Sequence, residues 1–139
     1  MSSRGRLHAA ETLPGFVAFQ GSDPAGLLVY ALENGDCEIV LLHTVVERIG
    51  LGSSLLREAK RTARRHGCRR LWAVTSNDDT KSLGFYQRNG FRLVALHRDA
   101  RDFARSISPE IPTIGMDGIP VHDELELELD LRAGDTSAL

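Results

Sequence analysis

The sequence predicts an α/β (α+β) fold, with a mixed, mostly antiparallel central sheet that contains one parallel strand pair and carries flanking helices. Three observations support that class. Apolar runs at 16–19, 26–32 and 38–46 are separated only by turn-forming residues, the pattern of consecutive antiparallel strands. A helix-period segment over 50–66 joins the third run to another apolar strand at 70–75, and a strand–helix–strand of that crossover length makes its two strands parallel. Residues 124–131 alternate Glu or Asp with Leu, the period-two signature of a half-buried strand.

Taken in order, residues 1–12 lack sustained periodicity and are expected to be a disordered tail with one turn of helix over 7–12. The first two strands flank a hairpin loop at 20–24, and Asn34-Gly35 turns the second strand into the third. In the helix, Leu51, Leu55, Ala59, Thr62 and Ala63 face one side, Arg57, Lys60, Arg61 and Arg64 the other, and Gly67 ends it. After the strand at 70–75, Asp78 or Asp79 caps a short helix carrying Leu83, Tyr86 and Gln87, which Gly90 stops. A strand over 91–96 follows, then a charged helical turn near 99–106, a Pro/Gly-rich loop to 121, the alternating strand, and a disordered tail over 132–139.

A chain of 139 residues is expected to form a single domain around one core. Its net charge of −2 does not announce nucleic acid or membrane as a partner, and no stretch has the length of about twenty apolar residues that spans a bilayer. Residues 1–6 are basic but have no apolar region behind them, so no secretory signal is read and a cytoplasmic protein is expected. Cys37 and Cys68 fit that setting as unpaired small hydrophobes, and no metal is expected.

The stretch E-R-I-G-L-G-S-S-L-L at 47–56 joins a doubly apolar strand to a helix through Gly50 and Gly52. Without a Cβ at either glycine a ligand can approach the backbone, and the first-turn N–H groups present the positive end of the helix dipole to it. Phosphate suits such a site, at the carboxyl end of a parallel pair. A lone Gly-x-Gly is more often a tight strand-to-helix turn with close packing.

Further on, D-D-T-K-S-L-G-F-Y-Q-R-N-G-F occupies 78–91. With E-R-I-G-L-G before it, this resembles the GNAT family of acyl-CoA N-acyltransferases, whose phosphate loop runs Gln/Arg-x-x-Gly-x-Gly/Ala and whose later signature is roughly Asn-x-x-(Ala)-x-x-(Phe/Leu)-Tyr-x-x-x-Gly-Phe. The resemblance covers about 13–131. Glu47 stands where Gln or Arg is usual, and Ile49 where a basic residue often precedes the first glycine. The resemblance implies a splayed parallel strand pair and acetyl-CoA as co-substrate. It places the pyrophosphate on the loop Arg48, Ile49, Gly50, Leu51, Gly52, Ser53 and Ser54, and runs the pantetheine arm along the backbone at Leu42 and Thr44.

The same resemblance makes Tyr86 the acid that protonates the departing thiolate, a role a phenol of ordinary pKa about 10 can fill without ionising; the plain alternative is a core aromatic. Asp79 holds the place of the asparagine that touches the cysteamine end, with Asn77 two residues earlier as a substitute, while a helix cap explains Asp79 as well. Glu38 and His43 on the third strand are the candidate bases, set against the structural role that a strand histidine more often has.

The expected reaction is acetyl transfer to a small-molecule or peptide amine by direct attack. A non-catalytic acyl-CoA-binding module acting through a protein partner is the alternative. The arginines of the 50–66 helix raise nucleic acid as a third reading, disfavoured because a solvated helix face needs charge and no aromatic platform is interleaved. Family members commonly begin with more chain than the dozen residues found here before the first strand. A homodimer is therefore expected, with a sheet edge or the apolar 111–121 segment packed on the second subunit; the alternative folds that loop back over its own sheet.

Overall fold

The computed structural model describes residues 2–3, 6–7, 13–45 and 50–132. Most of both predicted tails and the loop residues 46–49 lie outside the described residues. The elements are β1 (Ser2–Ser3), β2 (Arg6–Leu7), β3 (Gly15–Gln20), β4 (Asp23–Glu33), β5 (Asp36–Thr44), α1 (Leu51–Arg65), β6 (Arg70–Ser76), α2 (Thr80–Arg88), β7 (Arg92–His97), α3 (Ala100–Ile107) and β8 (Glu124–Asp130), with a 3-10 turn at Met116–Gly118. Six strands form a mixed sheet in the order β3-β4-β5-β6-β8-β7, mostly antiparallel with a parallel pair, which the α1 crossover assigns to β5 and β6. β1 and β2 pair antiparallel, and residues 8–12 of the helical turn expected from Leu7 lie outside the described residues. The chain divides within β6 into two compact units, 13–72 with 130–132 and 73–129 with the β1 and β2 residues.

In the first unit, β3, β4 and β5 form the antiparallel ladder that the apolar runs predict. The Asn34-Gly35 turn has φ of 55° and 79°, the positive pair that a two-residue hairpin link requires. Arg69 donates to the Asn34 carbonyl at 2.8 Å and Arg70 Nε to Asp36 at 3.1 Å, which ties the start of β6 to that turn. Helix α1 buries Leu55, Leu56, Ala59, Thr62 and Ala63, the predicted apolar face with Leu56 added and Leu51 at its rim. It lies close on β4 because Gly26 has no side chain there: a Cβ would stand 3.1 Å from Leu55 Cδ1. Leu28, Cys37 and Leu71 complete the buried layer. Both cysteines are free and buried.

In the second unit, Asp79 caps α2, its Oδ1 accepting from Ser82 N at 3.0 Å and its Oδ2 from the Ser82 hydroxyl at 2.7 Å. Strands β7 and β8 pair antiparallel, with Val94 as the extra residue of a bulge. One expectation fails on β8. Its leucines are buried as predicted at 127 and 129, but Glu124 and Glu126 do not face water; they are 3% and 5% exposed. Strand β8 lies between β6 and β7 in the sheet order, and each carboxylate has a side-chain partner beside it. Arg101 Nη1 stands 3.4 Å from Glu124, and His97 Nε2 stands 2.9 Å from Glu126. Buried carboxylates persist where such partners exist.

Candidate functional site

Strand β5 carries the first group of candidates. Glu38 pairs with Ala31 and His43 with Leu27. Five residues apart, they belong on opposite faces of a regular strand. Val40, however, has no partner in the register, and this bulge resets the alternation so that Glu38 and His43 share one face. Glu38 is 4% exposed there, whereas His43 is open to solvent. Leu42 and Thr44 pair with Leu28 and Gly26 on the opposite face and are half-buried.

The entry to α1 has the form that the glycines predict. Gly50 is its N-cap in the left-handed region at φ 81°, with no side-chain cap and no acidic residue in the first turn. Ser54 N donates to the Gly50 carbonyl at 3.0 Å, so its amide is used inside the helix. The earlier N–H groups, of Leu51, Gly52 and Ser53, precede the first intrahelical bond and sit at the positive end of the dipole. This narrows the expected amide set by one. Arg48 and Ile49 lie outside the described residues. On the polar face of α1, burial and then the charges of Arg64 and Arg57 lower the pKa of Lys60.

The second unit holds the other candidates. Tyr86 is 6% exposed and packs its ring against Phe85 and Phe91 at centroid distances of 5.6 and 5.1 Å. Burial raises its phenol well above the ordinary value, and the Asp79 charge adds to that, so the hydroxyl keeps its proton. Asn77 is spent on the chain around 120–123. Its amide donates to the Pro120 carbonyl at 2.8 Å, and its oxygen accepts from His122 N and Asp123 N, both at 2.9 Å.

Three groups in this unit take roles that the expectations do not contain, among them Asp78, the alternative candidate for the cap that Asp79 provides. Asp78 accepts from Met116 N at 3.0 Å and from the Ser76 hydroxyl. Burial alone would raise its pKa, but these bonds, with the Arg101 charge, hold it below the ordinary range. Arg105 donates to the carbonyls of Ile111, Pro112 and Val121 at 3.0, 2.8 and 2.8 Å and binds Asp102 at 2.7 Å. Asp102 also holds His122 Nδ1, at 2.9 and 3.2 Å from its two oxygens. Together they fasten the 108–123 segment to its own unit and turn Val121 into the core, while Ile114 and Met116 stay exposed. The only sequence signal was a polar residue or two beside a Pro/Gly-rich stretch.

Residues 3–91 match the model of the acetyltransferase (GNAT) family. The chain belongs to that family. It is 32% identical to the Bacillus subtilis (strain 168) protein YdhI, described as uncharacterized, over 126 residues that make up 90% of this chain and 79% of that one. It is 38% identical to YxbD of the same strain, also described as uncharacterized, over 107 residues, 77% of this chain and 67% of that one. Among solved structures, a Bacillus subtilis acetyltransferase in complex with CoA superposes with a TM-score of 0.74 at 26% identity, covering 86% of this chain and 78% of that one. The GNAT match takes in both the Gly50 turn and the segment from Asp79 to Phe91. Among the described residues no group of three or more His, Cys, Asp or Glu could hold a metal ion, and no helix is long and apolar enough to cross a membrane.

Proposed function

We propose that this acetyltransferase moves an acetyl group from acetyl-CoA to a small-molecule or peptide amine by direct attack of the neutral nitrogen on the thioester carbonyl. The pyrophosphate is held by the N–H groups of Leu51, Gly52 and Ser53, with Arg48, Ile49 and Gly50 leading into them, and the Ser54 hydroxyl within reach of the same turn. An anion there meets the amides of the first helical turn and the positive end of the helix dipole at once. The backbone at Leu42 and Thr44 runs beside the pantetheine arm as an added strand would. Tyr86 gives its hydroxyl proton to the departing thiolate. Its raised pKa keeps it a donor throughout the neutral range.

The observation that carries this reading is that one family match, over residues 3–91, contains both the glycine entry to α1 and Tyr86. The CoA complex of the Bacillus subtilis acetyltransferase supports the choice of co-substrate. The test is release of free thiol from acetyl-CoA across a panel of primary amines, with the acetylated amine identified by mass. Turnover with at least one amine is expected. Tight CoA binding without thiol release from any of them would return the chain to the binding-module reading.

A further inference from the structure

A direct-attack mechanism needs a base for the acceptor ammonium, and the strand candidates are poorly placed for it. Glu38 is buried, which limits access for an incoming amine. His43 is exposed, but among the described residues no carboxylate holds its ring. The second unit contains a histidine that is both held and open.

We propose that His122 is the general base of this reaction and that Asp102 is its positioning residue, an assignment that rests on the acetyl-transfer reading above. A carboxylate can only accept, so Nδ1 of His122 carries the proton and donates it to Asp102. That fixes the tautomer in which the Nε2 lone pair points away from the carboxylate, and the side chain is 55% exposed. Asp102 stays anionic because His122 first, and Arg105 second, hold its carboxyl below the ordinary range. Arg105 is itself anchored by three backbone carbonyls, so the pair stands on a fixed base.

Two observations place the imidazole beside the chemistry. His122 N and Asp123 N are bonded to the Asn77 side chain, and Asn77 N to the Asp123 carbonyl at 2.9 Å, so residue 122 adjoins the turn that leads directly into α2. Asp79 caps that helix and Tyr86 stands on it, so the turn beside His122 runs straight into the element that carries the phenol. Nor is the His122–Asp102 pair required to hold the loop. Arg105, Asn77 and Asp78 already do so, and an exposed pair adds little to stability.

In the step assigned to it, the acceptor ammonium gives one proton to His122 Nε2, which passes it to solvent. The freed amine forms a C–N bond to the acetyl carbon and the C–S bond breaks. The thiolate takes the Tyr86 proton, and the second proton lost from nitrogen restores it. Amide, thiol and one solvent proton are the products.

The test needs no knowledge of the acceptor. S-Bromoacetyl-CoA presents an electrophilic carbon where the acetyl group lies, so a nucleophile standing in the path of the amine displaces bromide and is alkylated. Peptide mapping is expected to find the label on His122, suppressed by excess CoA, absent from that peptide in His122→Gln, and slowed about tenfold in Asp102→Asn. Long-range ¹H–¹⁵N spectra should show one Nδ1–H tautomer for His122 in the native chain and a mixture in Asp102→Asn, and the slowed, CoA-suppressible alkylation in a folded Asp102→Asn is the change that a merely structural Asp102 would not produce. CoA bound by calorimetry with the label on His43, on another residue, or nowhere overturns the assignment and leaves acetyl transfer standing. Failure to bind CoA overturns both.

Discussion

Gly115 is a position where a single methyl group should do marked harm for its size. Its φ of −111° is open to any residue, so backbone handedness is not at issue. The obstacle is Asp78: a Cβ at residue 115 would stand 2.1 Å from Asp78 Oδ2, 2.6 Å from its Cγ and 2.7 Å from Val121 Cγ2. In Gly115→Ala the carboxylate must therefore swing out of a buried site and give up its bonds from Met116 N and the Ser76 hydroxyl. Losing hydrogen bonds to a buried charge costs about 1.5–3 kcal/mol, and the remaining overlap with Val121 adds about 1 kcal/mol of overpacking, for an expected loss of about 3 kcal/mol. Urea unfolding followed by circular dichroism measures it, in a cycle with Asp78→Ala. Once the carboxylate is gone, the same methyl should cost only about 1 kcal/mol, so the two changes should couple by about 2 kcal/mol. A Gly115→Ala loss below about 0.5 kcal/mol, or a cycle with no coupling, would refute the steric account. The pH dependence has a definite sign. Asp78 has a folded pKa below its ordinary 3.8, so its contribution is complete above that value and is lost as pH falls through the folded one; Asp78→Ala should flatten the acid limb.

Tyr86→Phe keeps the packing against Phe85 and Phe91 and removes only the hydroxyl, so turnover should fall by about 10²–10⁴-fold with acetyl-CoA affinity nearly unchanged; unaltered turnover in a chemistry-limited assay removes the phenol from the mechanism. Gly52→Val adds bulk where the pyrophosphate meets the first turn of α1 and should weaken CoA binding in a folded protein, which calorimetry reads. The Cys37 thiol is pushed up to about 12, chiefly by burial, with the nearby Cys68 and Glu38 charges adding. It should resist a thiol reagent at pH 8 until the chain unfolds. Its raised pKa contributes stability that is complete below pH 9 and lost as pH climbs toward 12. We also propose a homodimer: Leu93, Val94 and Leu96 are exposed on β7, the last strand of the sheet order. Light scattering at micromolar concentration should give twice the chain mass, and a monomer would end that proposal.

Where the governing forces are local, the reading of the chain was close. The burial face of α1, the Asn34-Gly35 turn and the Asp79 cap depend on residues within a turn or two of one another, and each was found where its residue types put it. The candidate site was legible to the same extent: the left-handed Gly50 entry and the helix bearing Tyr86 are short patterns. The misses share a cause. Glu124 and Glu126 alternate with leucines as an exposed row would, and only the placement of β8 between two other strands, with Arg101 and His97 beside it, makes them interior.

The sequence by itself determined the principal strands and helices, the fold class and the glycine turn into α1, because periodicity, β-branching and glycine act over a few residues. Tertiary structure decided which side chains meet. The unpaired Val40 puts Glu38 and His43 on one face. Asp78 reaches Met116 across 38 positions, and Asp102 reaches His122 across 20. Such pairings depend on how distant segments pack, and no local pattern encodes them: a carboxylate reads alike in a sequence whether it caps a helix, stabilises a loop or orients an imidazole.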